Sequence, residues 1–535
     1  MAKTVLPEML DAKTPPDVII RAEPRQPESD PTLGIPVSVD RQGTPKNRLV
    51  SIGDSLSQGF QSGAIFNTNL SCPALIASEL GVKDFRFPTY KSPGDGIPLN
   101  LERVVRDLES RYGSKLNWWE ILPALLSVRG NLDKNEDFWE RGAGAQFSSQ
   151  GLINQDLSVY GWDLRNTLSR TADICLELIQ QKSPKDSFFN EVPEYHNDRA
   201  AIRVLNTARN AENKALTPLE AAQALGNQGT QENAEGDGIE TLLVFIGSNN
   251  ALGSILTFKV AWSDDRYDDM DYNDRYTVWR PIHFKAEFDL IADQVKQIRA
   301  RHVIWCTVPH VTIPPFARGV GAKVDPRSRY FPYYTLPWLT DERFNPSRHP
   351  HLTAQEARAI DSAIDQYNDT IADVVREGRK QGKDWYLFET AGLLDRLATR
   401  RFFDQPQVQP DWWTPYELPA PLQALTPIPD TRFFISNPTG RIQGGLFSLD
   451  GIHPTTISYG ILAQELIKVM QLAGVQFYDR QGQKRSDAVE VGFDRLIALD
   501  TLISQPPRLI EDIFNLIGWV DGTLNVMTGL LRSNY

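Results

Sequence analysis

The stretch LVSIGDSLSQGF, residues 49–60, runs from apolar residues into Gly53 and then into a small polar turn with a serine at its centre. A short apolar run ending at a glycine predicts a buried strand, here Asn47 to Gly53. A turn after a buried parallel strand presents Ser55 at the carboxyl end of a sheet, where open α/β folds bind their ligands. The following segment opens a helix, so unpaired backbone N–H groups point to the same place. Two readings of the turn follow. It is an ordinary strand-to-helix connection, or it holds a nucleophile.

Three more runs read as buried strands: TLLVFIG (241–247), HVIWCTV (302–308) and WYLFE (385–389). Their continuous apolar character implies a sheet covered on both faces. Helical patterns lie between them. Residues 283–300 carry Phe284, Phe288, Ile291, Val295 and Ile298 at helical spacing. Thr353 with Glu356 three residues later forms a capping-box pattern ahead of Ile360, Ile364, Tyr367 and Ile371. Strand–helix–strand alternation implies a three-layer α/β/α sandwich with a mainly parallel sheet. Residues 1–45 read as an irregular N-terminal extension, 46–475 as the main domain and 476–535 as a C-terminal helical extension. Residues 110–240, 262–281, 311–352 and 398–440 read as long insertions at one end of the sheet, with three helices expected in the first. The aromatics of those loops, among them Trp262, Tyr267, Trp279, Tyr333, Trp338 and Trp412, point to an apolar, lipid-like ligand.

The 535 residues are 41% hydrophobic and 23% charged, the balance of a globular chain and not of a disordered one. A formal charge of −12 and the lack of a dense basic run argue against nucleic acid as a partner. Cys72, Cys175 and Cys306 make neither a disulfide framework nor metal-ligand spacing. No signal peptide and no run of apolar residues long enough to span a bilayer is read, so the cytoplasm is the expected location. Residues 497–535 are amphipathic. They are expected to dock on the core or a sister subunit, with peripheral membrane contact as the sharper reading, opposed by their acidic polar positions. There is no Walker A sequence, no G-x-G-x-x-G after a strand and no G-x-S-x-G, so no cofactor is expected.

Four segments carry chemistry. A serine hydroxyl needs a base to become a nucleophile. In FSLDGIHPT (447–455), Asp450 and His453 lie three apart in a tight loop, so the carboxylate can orient the imidazole toward a serine. In FIGSNNAL (245–252), Asn249 sits at a strand end, where its amide can donate to a developing oxyanion. In YKSPGDGIP (90–98), glycines let the backbone approach a ligand, with Gly94 or its rival Gly96 as a second donor. His310, after a strand end, is read first as a local structural residue, with a place at the border of the site as the alternative; His196, His283, His302, His349 and His351 lack a carboxylate in so tight a loop.

In order, these blocks resemble the GDSL, or SGNH, hydrolases: Gly53-Asp54-Ser55-Leu56, Gly94, Gly247-Ser248-Asn249-Asn250 and Asp450-Gly451-Ile452-His453. The resemblance covers roughly residues 46–475. It implies a flavodoxin-like sandwich and a serine esterase or lipase acting through an acyl-serine. Ser55 is then the nucleophile, His453 the base and Asp450 its orienter. The N–H groups of Ser55 and Gly94 and the side chain of Asn249 form the oxyanion hole. Asn250 departs from the family, which has aspartate there, and the domain is about twice the usual length. Transfer of the acyl group to an alcohol, or a non-catalytic scaffold on the same frame, are the competing readings.

Overall fold

The computed structural model describes residues 4–39, 41–114, 121–181, 192–323, 328–479, 481–486 and 488–513. All four apolar runs form strands, β1 (Asn47–Gly53), β2 (Ile239–Phe245), β3 (Ala300–Cys306) and β4 (Trp385–Phe388). They pair in parallel in that spatial order, Ile52 opposite Val244, Val244 opposite Trp305 and Trp305 opposite Leu387. A run that the sequence reading left unassigned extends the pattern beyond β1. Ser51 donates to Gln155 O at 2.9 Å, Leu157 to Ser51 O at 2.8 Å and Val159 to Gly53 O at 3.0 Å.

Side chains alternate along each strand. Val50, Ile52, Val244, Val303, Trp305 and Leu387 join one core. Leu49, Leu243, Phe245, Ile304, Cys306 and Tyr386 join another. The first core is closed by helices that include α3 (Asn249–Thr257), α4 (Pro281–Val295) and α5 (Ala354–Lys380). The second is closed by α2 (Cys72–Glu79) and α7 (Thr456–Leu472). The capping box at Thr353 and Glu356 is formed, and Ile360, Ile364, Tyr367 and Ile371 are fully buried. α4 stops at Val295, short of the expected Ala300, because Ala300 is already paired with Ile239 in the sheet. Small antiparallel pairings decorate the frame.

The extensions are tied to this frame. Among its described residues the leader has one short 3-10 turn, Pro7–Met9. Pro31 O accepts from Leu387 of the edge strand at 2.9 Å, and Arg25 bridges Asp369 and Glu389 at 3.1 and 2.8 Å. Between residues 110 and 240 the chain forms more than three helices, including Ile121–Glu140, Ala172–Gln181, His196–Leu205 and Pro218–Gly226. Phe493 and Leu496 of the C-terminal extension pack into the second core. The rest of the amphipathic stretch, beyond residue 513, lies outside the described residues. Among the described residues no helix is long and apolar enough to cross a membrane.

Phe288 shows how tightly the first core is packed. It is 1% exposed, stacks on Phe284 and meets Trp305 with ring centroids 5.3 Å apart. Truncation removes transfer energy and leaves a cavity. Phe288→Ala is therefore expected to lower stability by about 3–5 kcal/mol in urea unfolding. A loss of less than about 1 kcal/mol would contradict this packing.

Candidate active site

β1 ends at Gly53, and Asp54 caps the one-turn helix α1 (Ser55–Gln58). Its Oδ1 accepts from Leu56 N–H at 3.0 Å, and its own N–H donates to Phe245 O at 3.2 Å, fixing the turn to the end of β2. Burial pushes the Asp54 carboxyl up to about 6. α1 is only one turn long because Gly59 is left-handed, with φ +87°. Ser55 is thus held on a short rigid element and is 5% exposed.

The partner loop comes from the far end of the chain. Ser448 N–H donates to His453 O at 2.8 Å and Gly451 N–H to Ser448 O at 2.9 Å, so residues 448–453 form a closed loop ahead of α7. His453 Nε2 lies 2.9 Å from Ser55 Oγ, and Nδ1 lies 3.1 Å from Asp450 Oδ2. Asp450 Oδ1 accepts from the N–H groups of Ile452 and His453, both at 2.8 Å, and Oδ2 from Gly63 N–H at 2.9 Å. Burial alone would raise this carboxyl. The neighbouring imidazole, its hydrogen bond and the backbone donors outweigh burial and hold it below its ordinary 3.8. The ring of Phe60 packs on His453 at 4.5 Å between centroids. Tyr459 of α7 donates to Phe60 O at 2.6 Å.

Sequence reasoning thus named three residues that the fold brings into one hydrogen-bonded line. The others fall differently. Asn249 opens α3 at the end of β2, and its Nδ2 donates to Trp162 O at 2.8 Å, which orients the amide. Gly94 lines a separate hollow with Asn100, Arg103 and Asn135. The N–H of Gly96, its rival, donates to Ser92 Oγ at 3.0 Å. Another glycine sits closer to these contacts. Gly161, with φ +75°, lies between Val159, which bonds Gly53, and Trp162, which bonds Asn249. The signal for it is Leu157 and Val159 at strand spacing, with a glycine two residues after Val159. Asn250 is fully buried, and its backbone oxygen accepts from Trp279 N–H at 2.8 Å.

His310 does reach the site, since it lines one cavity with Ser55 and His453. Its Nε2 is 2.9 Å from Asp365 and its Nδ1 3.5 Å from Asp395. Burial opposes charging the ring, but the carboxylates of Asp361, Asp395 and Asp365 prevail and hold it up to about 10. His302 pairs with Asp384 at 2.8 Å, and His283 with Ser263 at 2.8 Å. The aromatics of the inserted loops do not line the cavity at Ser55. Trp279, for example, is buried in the first core and Tyr267 packs against it.

Cys72, Cys175 and Cys306 are buried and unpaired with one another. Among the described residues no group of three His, Cys, Asp or Glu side chains could hold a metal ion. No protein-family model matches the chain, and no curated protein matches it.

The lowered Asp450 carboxyl has a signed consequence for stability. An acid depressed in the folded state stabilises the fold fully above its unfolded value, and that contribution is lost as pH falls through the folded one. The advantage of the wild type over Asp450→Asn is therefore expected to be full at neutral pH. It shrinks only as the pH drops below 3.8. Urea unfolding of both proteins across pH checks this; an advantage that instead grows with acid contradicts it.

Proposed function

We propose that this chain is a serine hydrolase of carboxylic esters, working as the GDSL/SGNH resemblance implies on a flavodoxin-like α/β/α frame. The observation that carries the reading is the unbroken line Ser55–His453–Asp450, with spacings of 2.9 and 3.1 Å. Nucleophile, base and orienter within hydrogen-bond reach define the triad by geometry and role.

Ser55 Oγ attacks the ester carbonyl carbon while His453 Nε2 takes its proton. The carbonyl oxygen becomes an oxyanion. We assign its donors to the N–H of Ser55, the side chain of Asn249 and the N–H of Gly161, in place of Gly94. Collapse breaks the bond to the alcohol oxygen, which leaves with the proton from His453. Water, deprotonated by His453, then attacks the acyl carbon, and collapse breaks its bond to Ser55 Oγ, which takes that proton back from His453 as the acid leaves. Asp450 remains ionised throughout. It fixes the ring so that Nδ1 carries hydrogen and Nε2 faces the serine.

Incubation with a fluorophosphonate, followed by intact mass and peptide mapping, is expected to give one adduct, on Ser55. Ser55→Ala should lose both the adduct and ester turnover while keeping the wild-type circular dichroism. Full turnover by Ser55→Ala, or labelling elsewhere, would overturn the assignment.

The oxyanion donors have their own test. Asn249→Ala is expected to lower kcat by about 10²–10³-fold with KM little changed, since the donor acts on charge that develops only in the transition state. A rise in KM at constant kcat would place Asn249 in ground-state binding instead.

A further inference from the structure

The cavity that Ser55 and His453 share is built almost wholly from hydrocarbon. Leu393, Leu394 and Leu397 come from one face of helix α6 (Thr390–Leu397), Leu252 from α3, and Ile461 and Leu462 from α7. It encloses about 100 Å³. His310 is the charged exception in its wall, but both ring nitrogens face carboxylates, Asp365 at 2.9 Å and Asp395 at 3.5 Å. Only Nε2 is hydrogen-bonded, to Asp365, but the ring's charge is turned toward the two carboxylates and nearly all of the wall that faces the cavity is carbon. An apolar hollow of similar order, about 150 Å³, stays dry and takes an apolar ligand.

We propose that this cavity takes the aliphatic acyl chain of the ester, and that the substrates are esters of short to medium unbranched acids. The proposal rests on the hydrolase reading of Ser55. Aliphatic carbon could enter from either side of an ester. The acyl side is favoured because the acyl carbon stays bonded to Ser55 Oγ between the two half-reactions, whereas the alcohol leaves. An apolar seat is most useful to the part that remains. At roughly 30 Å³ per water-sized group, the cavity seats three or four chain carbons. Butyryl and pentanoyl esters fill it, and acetyl, on a simple alcohol or on a sugar, leaves most of it empty. The selectivity is set by leucines of α6, not by the aromatic loops.

Two ester series test this. One is p-nitrophenyl esters from acetate to decanoate; the other is alkyl acetates from ethyl to decyl. Each methylene buried should raise kcat/KM roughly fourfold. The acyl series is expected to climb tens-fold from acetate to pentanoate and then level or fall, with the alcohol series nearly flat. Leu394→Trp should lower the pentanoate-to-acetate ratio at least tenfold, and Leu397→Ala should move the optimum to longer acids. Either variant alone suffices should the other not fold. A flat acyl series, or chain dependence confined to the alcohol, overturns the proposal. A small methyl fluorophosphonate separates the two levels. Ser55 labelled with a flat acyl series removes only the acyl pocket. Ser55 unlabelled on folded protein removes the hydrolase reading and the pocket together.

Discussion

The Asp450 carboxylate is 1% exposed, and the site depends on its keeping its charge there. A buried anion without partners would take up a proton instead. Here three backbone N–H groups and one imidazole nitrogen reach its two oxygens. Two of those N–H groups come from its own loop, which is why the Asp-x-x-His spacing matters. The third, from Gly63, lies 387 residues away in sequence and belongs to the segment just after the serine turn. The same clamp is repeated beside it. Ser62 N–H donates to Ser448 Oγ at 2.8 Å, and Leu449 N–H to Ser62 Oγ at 3.3 Å. The bonds that satisfy the acid therefore also hold the serine end of the chain to the histidine end. Removing the acid would loosen the distance from Ser55 to His453 as well as the orientation of the ring.

Much of this arrangement was legible in the residues. The four strands declare themselves because each is buried on both faces and so reads as an unbroken apolar run. Asp450 and His453 share one loop, so their spacing is local information. What was not legible is what depends on contacts between distant segments. The run 155–159 does not read as a buried strand because Asp156 and Ser158 interrupt it with polar groups, yet both are buried. Asp156 is accommodated by Ser51 Oγ at 2.8 Å and Ser158 N–H at 3.2 Å, and burial pushes its carboxyl up to about 6. Without that run as a strand nothing in the sequence places Gly161 beside the site, whereas the glycines around Gly94 offer a loop of suitable composition. The inserted aromatics were misleading for a similar reason. A large ring is as useful for anchoring a loop to a core as for binding a ligand, and Trp279 and Trp338 are buried.

Two histidines line the cavity beside Ser55, and only one is arranged to cycle a proton. A general base must lose and regain a proton at one nitrogen while the other is held. His453 has that arrangement of nitrogens: Nδ1 faces one carboxylate and Nε2 faces the serine hydroxyl. His310 has acid on both sides, with Asp361 close enough to add to the charge, and Arg401 in turn pairs with Asp361 at 3.0 Å. An imidazolium so surrounded keeps its proton far above neutral pH. Its role is mechanical. It joins the loop after β3 to Asp365 on α5 and, across the ring, to Asp395 on α6, the helix that carries the leucine wall. The same pairing of imidazole with carboxylate therefore has opposite consequences a short way apart. One acid leaves a nitrogen for chemistry, and a second acid converts the ring into a strut.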